Sequence, residues 1–120
     1  MSENIRCAVL GLGRLGYWHA ENLSKKIEGA ELVAVADPLE GRAKQVAQKL
    51  DVPKWFENAD DVFHSPDIDM VAIITPTPTH AEMIKKAAAS GKHIFVEKPI
   101  THTLEEADEV IKVIRDNDVF

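Results

Sequence analysis

The segment that decides the fold is IRCAVLGLGRLG, which occupies residues 5–16. Its first half, Ile5–Leu10, is a mostly apolar run typical of a buried strand, and it ends at Gly11. Residues 15–26 then have the apolar spacing of a helix. The residues expected on one face of that helix are Leu15, Trp18, His19 and Leu23. The chain therefore begins with a strand that a glycine-rich turn joins to a helix.

The rest of the chain repeats this alternation of short apolar runs and longer helical stretches. Further strands are predicted at residues 31–36, 54–56, 70–74 and 93–96, and further helices at 39–50, 59–63, 79–90 and 103–116. Thr79 with Glu82, and Thr103 with Glu106, have the spacing of capping boxes at two helix starts. Strands and helices in alternation, with short connections, favour right-handed crossovers and a parallel sheet. The prediction is one Rossmann-like α/β domain over residues 1–120, a doubly wound sheet with helices on both faces.

Composition excludes several classes of function. The chain has 120 residues and a net charge of −6, with the acidic excess in its second half, so nucleic-acid binding is not expected. The single cysteine, Cys7, allows no internal disulfide and no thiolate metal cluster. No apolar run has the length of a membrane span, and the first residues lack the apolar region of a signal peptide. We expect a soluble, cytoplasmic domain without a metal site.

Gly11, Gly13 and Gly16 form a GxGxxG motif between a predicted strand and a predicted helix. In a dinucleotide-binding turn the first glycine permits the tight bend, and the second lets a pyrophosphate approach the backbone. The third lets the helix pack closely on the sheet, and the amides at the helix start face the anion. A glycine-rich turn that binds nothing is the alternative.

Asp37 supports the dinucleotide interpretation, because it lies 21 residues after Gly16 at the end of the second predicted strand. A carboxylate there accepts hydrogen bonds from the adenosine ribose and repels a 2′-phosphate, which favours NAD over NADP. The alternative is an ordinary turn aspartate before a proline. Arg14 and Arg42 leave the NADP question open, since either could neutralise a phosphate that it reached.

Four segments resemble one known family, the Gfo/Idh/MocA oxidoreductases. They are GLGRLGYWHAEN (11–22), VADP (35–38), TPTPTHAE (75–82) and GKHIFVEKPI (91–100), and they occur in the family's order. The resemblance implies an NAD(P)-dependent dehydrogenase that acts on an alcohol group of a polyol, sugar or cyclitol. The motifs are most similar to those of the inositol dehydrogenase branch.

The resemblance also implies a role for individual residues. Those expected at the pyrophosphate are Gly11, Gly13, Arg14, Leu15 and Gly16, with Asp37 at the adenosine ribose. Those expected at the middle of the cofactor are Thr75, Pro76, Thr77 and His80. Glu97 is expected near the nicotinamide ribose, and Lys98 beside the substrate as the catalytic amine. Without the resemblance, Lys98 would be interpreted as a surface lysine paired with Glu97.

In this family a second α/β domain supplies most of the substrate pocket, and we expect that domain to be absent, with the chain ending near the start of a sixth strand. The 120 residues alone are then expected to bind NAD without turnover. The alternative is a stand-alone, non-enzymatic NAD-binding module for sensing or assembly. A sheet edge and face left uncovered would favour a homo-oligomer.

Overall fold

Five parallel strands form one sheet in the computed structural model, which describes residues 5–25, 29–96 and 104–117. The strands are β1 (Ile5–Leu10), β2 (Ala30–Ala36), β3 (Lys54–Phe56), β4 (Met70–Ile73) and β5 (His93–Val96). Their order across the sheet is β3-β2-β1-β4-β5. The chain therefore builds outward from β1 in one direction and then crosses back to build in the other. This reversal between β1 and β4 is the switch point at which doubly wound sheets bind ligands.

Helices connect the strands and cover both faces of the sheet. They are α1 (Arg14–Lys25), α2 (Arg42–Leu50), α3 (Ala59–Phe63), α4 (His80–Ala89) and α5 (Leu104–Asp116), with a 3₁₀ turn at Thr77–Thr79. One apolar cluster joins α1 and α2 to the sheet, and a second joins α3, α4 and α5 to the opposite face. The predicted doubly wound α/β architecture is confirmed. Its central strands are buried on both faces, which explains their nearly continuous apolar sequences.

The predicted buried face of α1 is partly wrong. Leu15 is 47% exposed and Trp18 is 54% exposed, whereas Gly16, Ala20 and Leu23 are the residues buried against the sheet. The first two of these buried residues are small because the first turn of α1 closely approaches the backbone of Gly11, directly after β1. The bulkier residues are consequently turned outward.

Two predicted helix starts also differ from the structure. Thr79 makes no side-chain cap for α4, since its backbone is already helical and its hydroxyl lies 2.7 Å from the carbonyl oxygen of Pro76. The 3₁₀ turn before α4 places that carbonyl within reach, so the predicted capping box with Glu82 is wrong. The helix predicted from residue 39 begins at Arg42, after Gly41 at a φ of 79°. The capping box predicted at Thr103 lies outside the described residues.

Burial shifts the pKa of two side chains in and beside the sheet, Cys7 and Lys92. Cys7 is fully buried in β1, as expected for a small core residue, and burial raises the pKa of its thiol to about 11. Lys92 is 4% exposed, and its ammonium donates to the carbonyl oxygens of Ser65 and Ile68 at 2.6 and 2.9 Å. Burial lowers the pKa of Lys92, and the two carbonyl oxygens replace the water that its ammonium loses.

Within the described ranges, none of the helices combines the length and the apolar character that a bilayer crossing requires.

Candidate functional site

A cavity of about 920 Å³ lies at the carboxyl ends of β1 to β4. The expected site residues that line it are Gly11, Gly13, Arg14, Leu15, Gly16, Asp37, Thr75, Pro76 and His80. They lie in three separate segments, which follow β1, β2 and β4 and include the first turns of α1 and α4. The carboxyl ends of parallel strands meet at one edge, so the topology brings these segments together at the switch point.

The three glycines of the turn have distinct surroundings. Gly11 has a φ of 92°, and a methyl group there would lie 2.8 Å from the carbonyl oxygen of Ile74. A methyl group at Gly16 would lie 1.8 Å from the carbonyl oxygen of Gly11, so α1 and β1 meet with no space for a side chain. A methyl group at Gly13 would contact nothing within 4 Å. The first and third glycines are therefore required by the fold, and the second leaves open space on the cavity wall.

The first turn of α1 supplies backbone donors on the same wall. The helix begins at Arg14, and its first hydrogen bond runs from the amide of Tyr17 to the carbonyl oxygen of Gly13. The amides before Tyr17 precede the first turn's hydrogen bonding, and the helix dipole adds partial positive charge there. Arg14 and Leu15 are exposed at this position. This arrangement can hold a phosphate or pyrophosphate group.

Asp37, directly after β2, faces the glycine loop. Its Oδ2 accepts a hydrogen bond from the amide of Leu12 at 2.7 Å, and its Oδ1 accepts one from the amide of Leu39 at 2.8 Å. A carboxylate has about four lone-pair sites, so two backbone bonds leave capacity for two hydroxyl donors. The carboxylate is thus held in a fixed orientation and can still accept from a ribose.

The loop after β4 forms the opposite wall. His80 is 3% exposed, and its Nε2 lies 2.7 Å from the carbonyl oxygen of Thr75. Because a carbonyl oxygen only accepts, Nε2 carries the proton in this contact. Thr79 Oγ1 also lies 2.6 Å from Thr75 Oγ1. These contacts fix the loop. The backbone of Thr77 lies in the 3₁₀ turn, and its side chain is outside the described part of the chain, so its predicted role remains a prediction.

Glu97 and Lys98 lie outside the described residues, so their predicted roles remain predictions. The strand that leads to them is described: Val96 is the last residue of β5 and is paired with Ile73 at the end of β4. β5 therefore ends at the same edge of the sheet as the cavity.

The far wall of the cavity was missed by the sequence analysis. It is formed by residues after β3 and on the facing side of α4, namely Glu57, Asn58, Ala59, Asp60, Met83 and Lys86. Hydrogen bonds to Asp60, at 2.9 Å, and to Glu82 raise the pKa of Lys86. Its charge is balanced by these two carboxylates. The only sequence signal was the helical spacing of Met83 and Lys86, which does not reveal what the helix faces.

Comparison with known proteins identifies the family. A family model described as an oxidoreductase family with an NAD-binding Rossmann fold, Gfo/Idh/MocA, matches residues 5–120. The chain belongs to this family. The resemblance found in the four sequence motifs is therefore confirmed.

Individual relatives give the same result. The chain is 54% identical over 119 residues to the scyllo-inositol 2-dehydrogenase (NAD(+)) of Bacillus subtilis, covering 99% of this chain and 35% of the relative. It is 37% identical to the myo-inositol 2-dehydrogenase of Thermotoga maritima, covering 96% of this chain and 34% of the relative. The solved structure of scyllo-inositol dehydrogenase from Lactobacillus casei with bound NAD(H) and scyllo-inositol superposes with a TM-score of 0.91 at 35% identity. That match covers 97% of this chain and 34% of the other. The chain thus spans about a third of the length of these relatives.

The geometry of the site fits the cofactor that this oxidoreductase family binds. Open space at Gly13 and the start of α1 suit a pyrophosphate, and the spare lone pairs of Asp37 suit a ribose. Among the residues that the structure describes, no group of three or more His, Cys, Asp or Glu side chains could hold a metal ion.

Two alanine substitutions should separate the structural glycine from the binding glycine. Gly16→Ala should lower the free energy of unfolding by about 2 kcal/mol or more, because its methyl group meets the backbone of Gly11. Gly13→Ala should leave stability unchanged or slightly raised, since its methyl group enters open space, yet weaken NAD binding. Urea unfolding and calorimetric titration with NAD measure the two effects. A Gly16→Ala chain with unchanged stability would contradict the packing assigned to this turn.

Proposed function

We propose that this chain is the cofactor-binding part of an NAD-dependent dehydrogenase that oxidises an alcohol group of an inositol-like polyol, sugar or cyclitol. The observation that carries the proposal is the single cavity wall shared by the glycine loop, the start of α1 and the Asp37 carboxylate. Membership of an NAD-binding oxidoreductase family and similarity to inositol dehydrogenases support the substrate class. We also propose a cytoplasmic location.

The proposed cofactor position follows the cavity from one loop to the next. The adenosine ribose would donate to Asp37, the pyrophosphate would lie against Gly13, Arg14 and Leu15, and the central part would lie beside Thr75, Pro76 and His80. Thr77 and Glu97 complete the proposed set, with Glu97 near the nicotinamide ribose. When bound, NAD supplies the hydride acceptor. The chain's own residues bind and orient it.

Lys98 is the proposed catalytic residue. Oxidation of an alcohol requires removal of the hydroxyl proton, and an amine can take up that proton if its pKa lies near the working pH. Partial burial and a neighbouring positive charge both disfavour an ammonium group, and lysine responds to them more readily than arginine. Lys98 is therefore proposed to hold this proton in a protein that also contains a substrate-binding part.

Cofactor preference is tested at Asp37. Asp37→Ser removes the charge that would repel a 2′-phosphate, so the ratio of NAD to NADP affinity should fall by about tenfold or more. Overall affinity should also fall, because the amides of Leu12 and Leu39 lose their acceptor. Asp61→Ser is the matched control, since Asp61 is exposed, carries the same charge and does not line the cavity. Titration of each variant with both cofactors gives the ratio, and an unchanged ratio in Asp37→Ser would refute the assignment.

Catalysis is tested at Lys98 in a protein of the relatives' full length that contains this chain. Lys98→Ala should lower kcat for inositol oxidation by about 100-fold or more and leave NAD affinity within about twofold. Lys44→Ala, on the exposed face of α2, should change neither quantity. Steady-state rates and NAD titrations separate the two effects. Retention of turnover by Lys98→Ala would remove the catalytic role.

We also propose that the 120-residue chain self-associates. Trp18 is 54% exposed and Phe95 is 43% exposed. The ring of His19 lies between them and contacts the ring of each. Phe95 lies on β5, an edge strand of the described sheet. Sedimentation velocity should show dimers or larger species at high concentration, and Phe95→Ser should shift them toward monomer. A monomer at every concentration would contradict this proposal.

A further inference from the structure

Leu12, the residue between the first two glycines, is held through both of its backbone polar groups. Its amide donates to Asp37 Oδ2 at 2.7 Å, and its carbonyl oxygen accepts from Arg42 Nε at 2.9 Å. These two groups belong to consecutive peptide units, Gly11–Leu12 and Leu12–Gly13. Two charged side chains, one from the end of β2 and one from the start of α2, thus fix the orientation of the glycine loop.

The Arg42 contact determines where the amide of Gly13 points. The carbonyl of Leu12 and the amide of Gly13 belong to one planar trans peptide, in which the two groups point in opposite directions. Drawing the carbonyl oxygen toward Arg42 therefore turns the Gly13 amide away from Arg42. Gly13 lines the cavity and Arg42 does not, so the guanidinium lies behind the loop. A cation on the carbonyl also polarises the peptide, which strengthens the amide as a donor.

The guanidinium is itself held in this position. Arg42 Nη1 donates to Gln45 Oε1 at 3.2 Å, and the guanidinium carbon lies 5.7 Å from the centre of the Tyr17 ring. The side chain is half-buried between α1 and α2. Nε, Nη1 and the planar face of the guanidinium are thus engaged by Leu12, Gln45 and Tyr17. This disfavours the alternative that Arg42 neutralises a 2′-phosphate.

We propose that Arg42 is a positioning residue for the dinucleotide: it holds the Leu12 carbonyl so that the Leu12–Gly13 peptide presents its amide to the pyrophosphate. The inference rests on the proposed binding of NAD at this loop. It assigns to Arg42 an effect on the pyrophosphate without any contact with the cofactor. Asp37 combines two functions in this arrangement, since it holds the preceding peptide and remains available to the ribose.

The test compares ligands that contain or lack the pyrophosphate. Arg42→Met keeps much of the side-chain length and removes every donor, whereas Gln45→Met removes only the 3.2 Å partner and serves as the control. Affinities of the 120-residue chain for NAD, ADP-ribose, adenosine and NADP are measured by calorimetry or NMR titration. Arg42→Met should lower the affinity for NAD and for ADP-ribose by about fivefold to tenfold, which is the effect of one misdirected charge-assisted hydrogen bond. Adenosine affinity should change less than about twofold, and the ratio of NAD to NADP affinity should stay constant.

Further measurements on the same chains distinguish positioning from a loss of folding. In the ligand-free chain, Arg42→Met should shift the Gly13 amide resonance, and Gln45→Met should not. Arg42→Lys retains a cation, so its affinity for ADP-ribose should lie between those of Arg42→Met and the unsubstituted chain. If Arg42→Met does not fold, Arg42→Lys takes its place in the comparison.

Each other outcome overturns the inference. Equal losses for adenosine and ADP-ribose would indicate a general structural defect, and a loss confined to NADP would make Arg42 a 2′-phosphate ligand. Unchanged affinities in Arg42→Met would leave it no positioning role. If the unsubstituted chain binds neither NAD nor ADP-ribose, the proposed function and this inference are overturned together. That result is obtained before any variant is measured, so it is distinguished from a failure of the inference alone.

Discussion

The close approach of α1 to the end of β1 is the constraint on which the rest of the site depends. A methyl group at Gly16 would lie 1.8 Å from the carbonyl oxygen of Gly11, so the helix and the strand meet backbone to backbone. This contact places the amino end of α1 at the edge of the sheet, where Gly13, Arg14 and Leu15 line the cavity. It also decides which side of α1 is buried. Ala20 and Leu23 follow Gly16 on the inner side, and Trp18 is left outside.

Hydrogen bonds within and between the loops complete the walls around this contact. Asp37 joins the end of β2 to Leu12 of the glycine loop, and Arg42 joins α2 to the same residue. On the opposite wall, His80 fixes the loop after β4 through the carbonyl of Thr75. The walls are therefore ordered by the chain's own contacts, and a ligand entering the cavity does not have to supply the energy for arranging them.

Much of this arrangement was predictable because the signals are local. The strand that ends at Gly11, the helix that follows and the aspartate after β2 each follow from residue types at short spacing, and the observed elements agree with them. The errors arose where a local signal was outweighed by a contact elsewhere. Trp18 has apolar spacing consistent with burial, yet the face of α1 that carries Gly16 and Ala20 packs against the sheet. Thr79 has the spacing of a cap residue, yet its hydroxyl donates to the carbonyl oxygen of Pro76 in the preceding turn.

The sequence by itself determined the order of elements, the doubly wound sheet, the family and the identity of the glycines and Asp37 at the switch point. It did so because strand, turn and helix preferences act over a few residues, and because a carboxyl end of one parallel strand lies beside that of the next. Only the tertiary structure decided which other residues surround and contact them. The far wall with Asp60 and Lys86, and the position of Arg42 behind Leu12, join residues that are distant in the chain. Spacing along a sequence does not encode such contacts, since they depend on how helices and strands pack against one another.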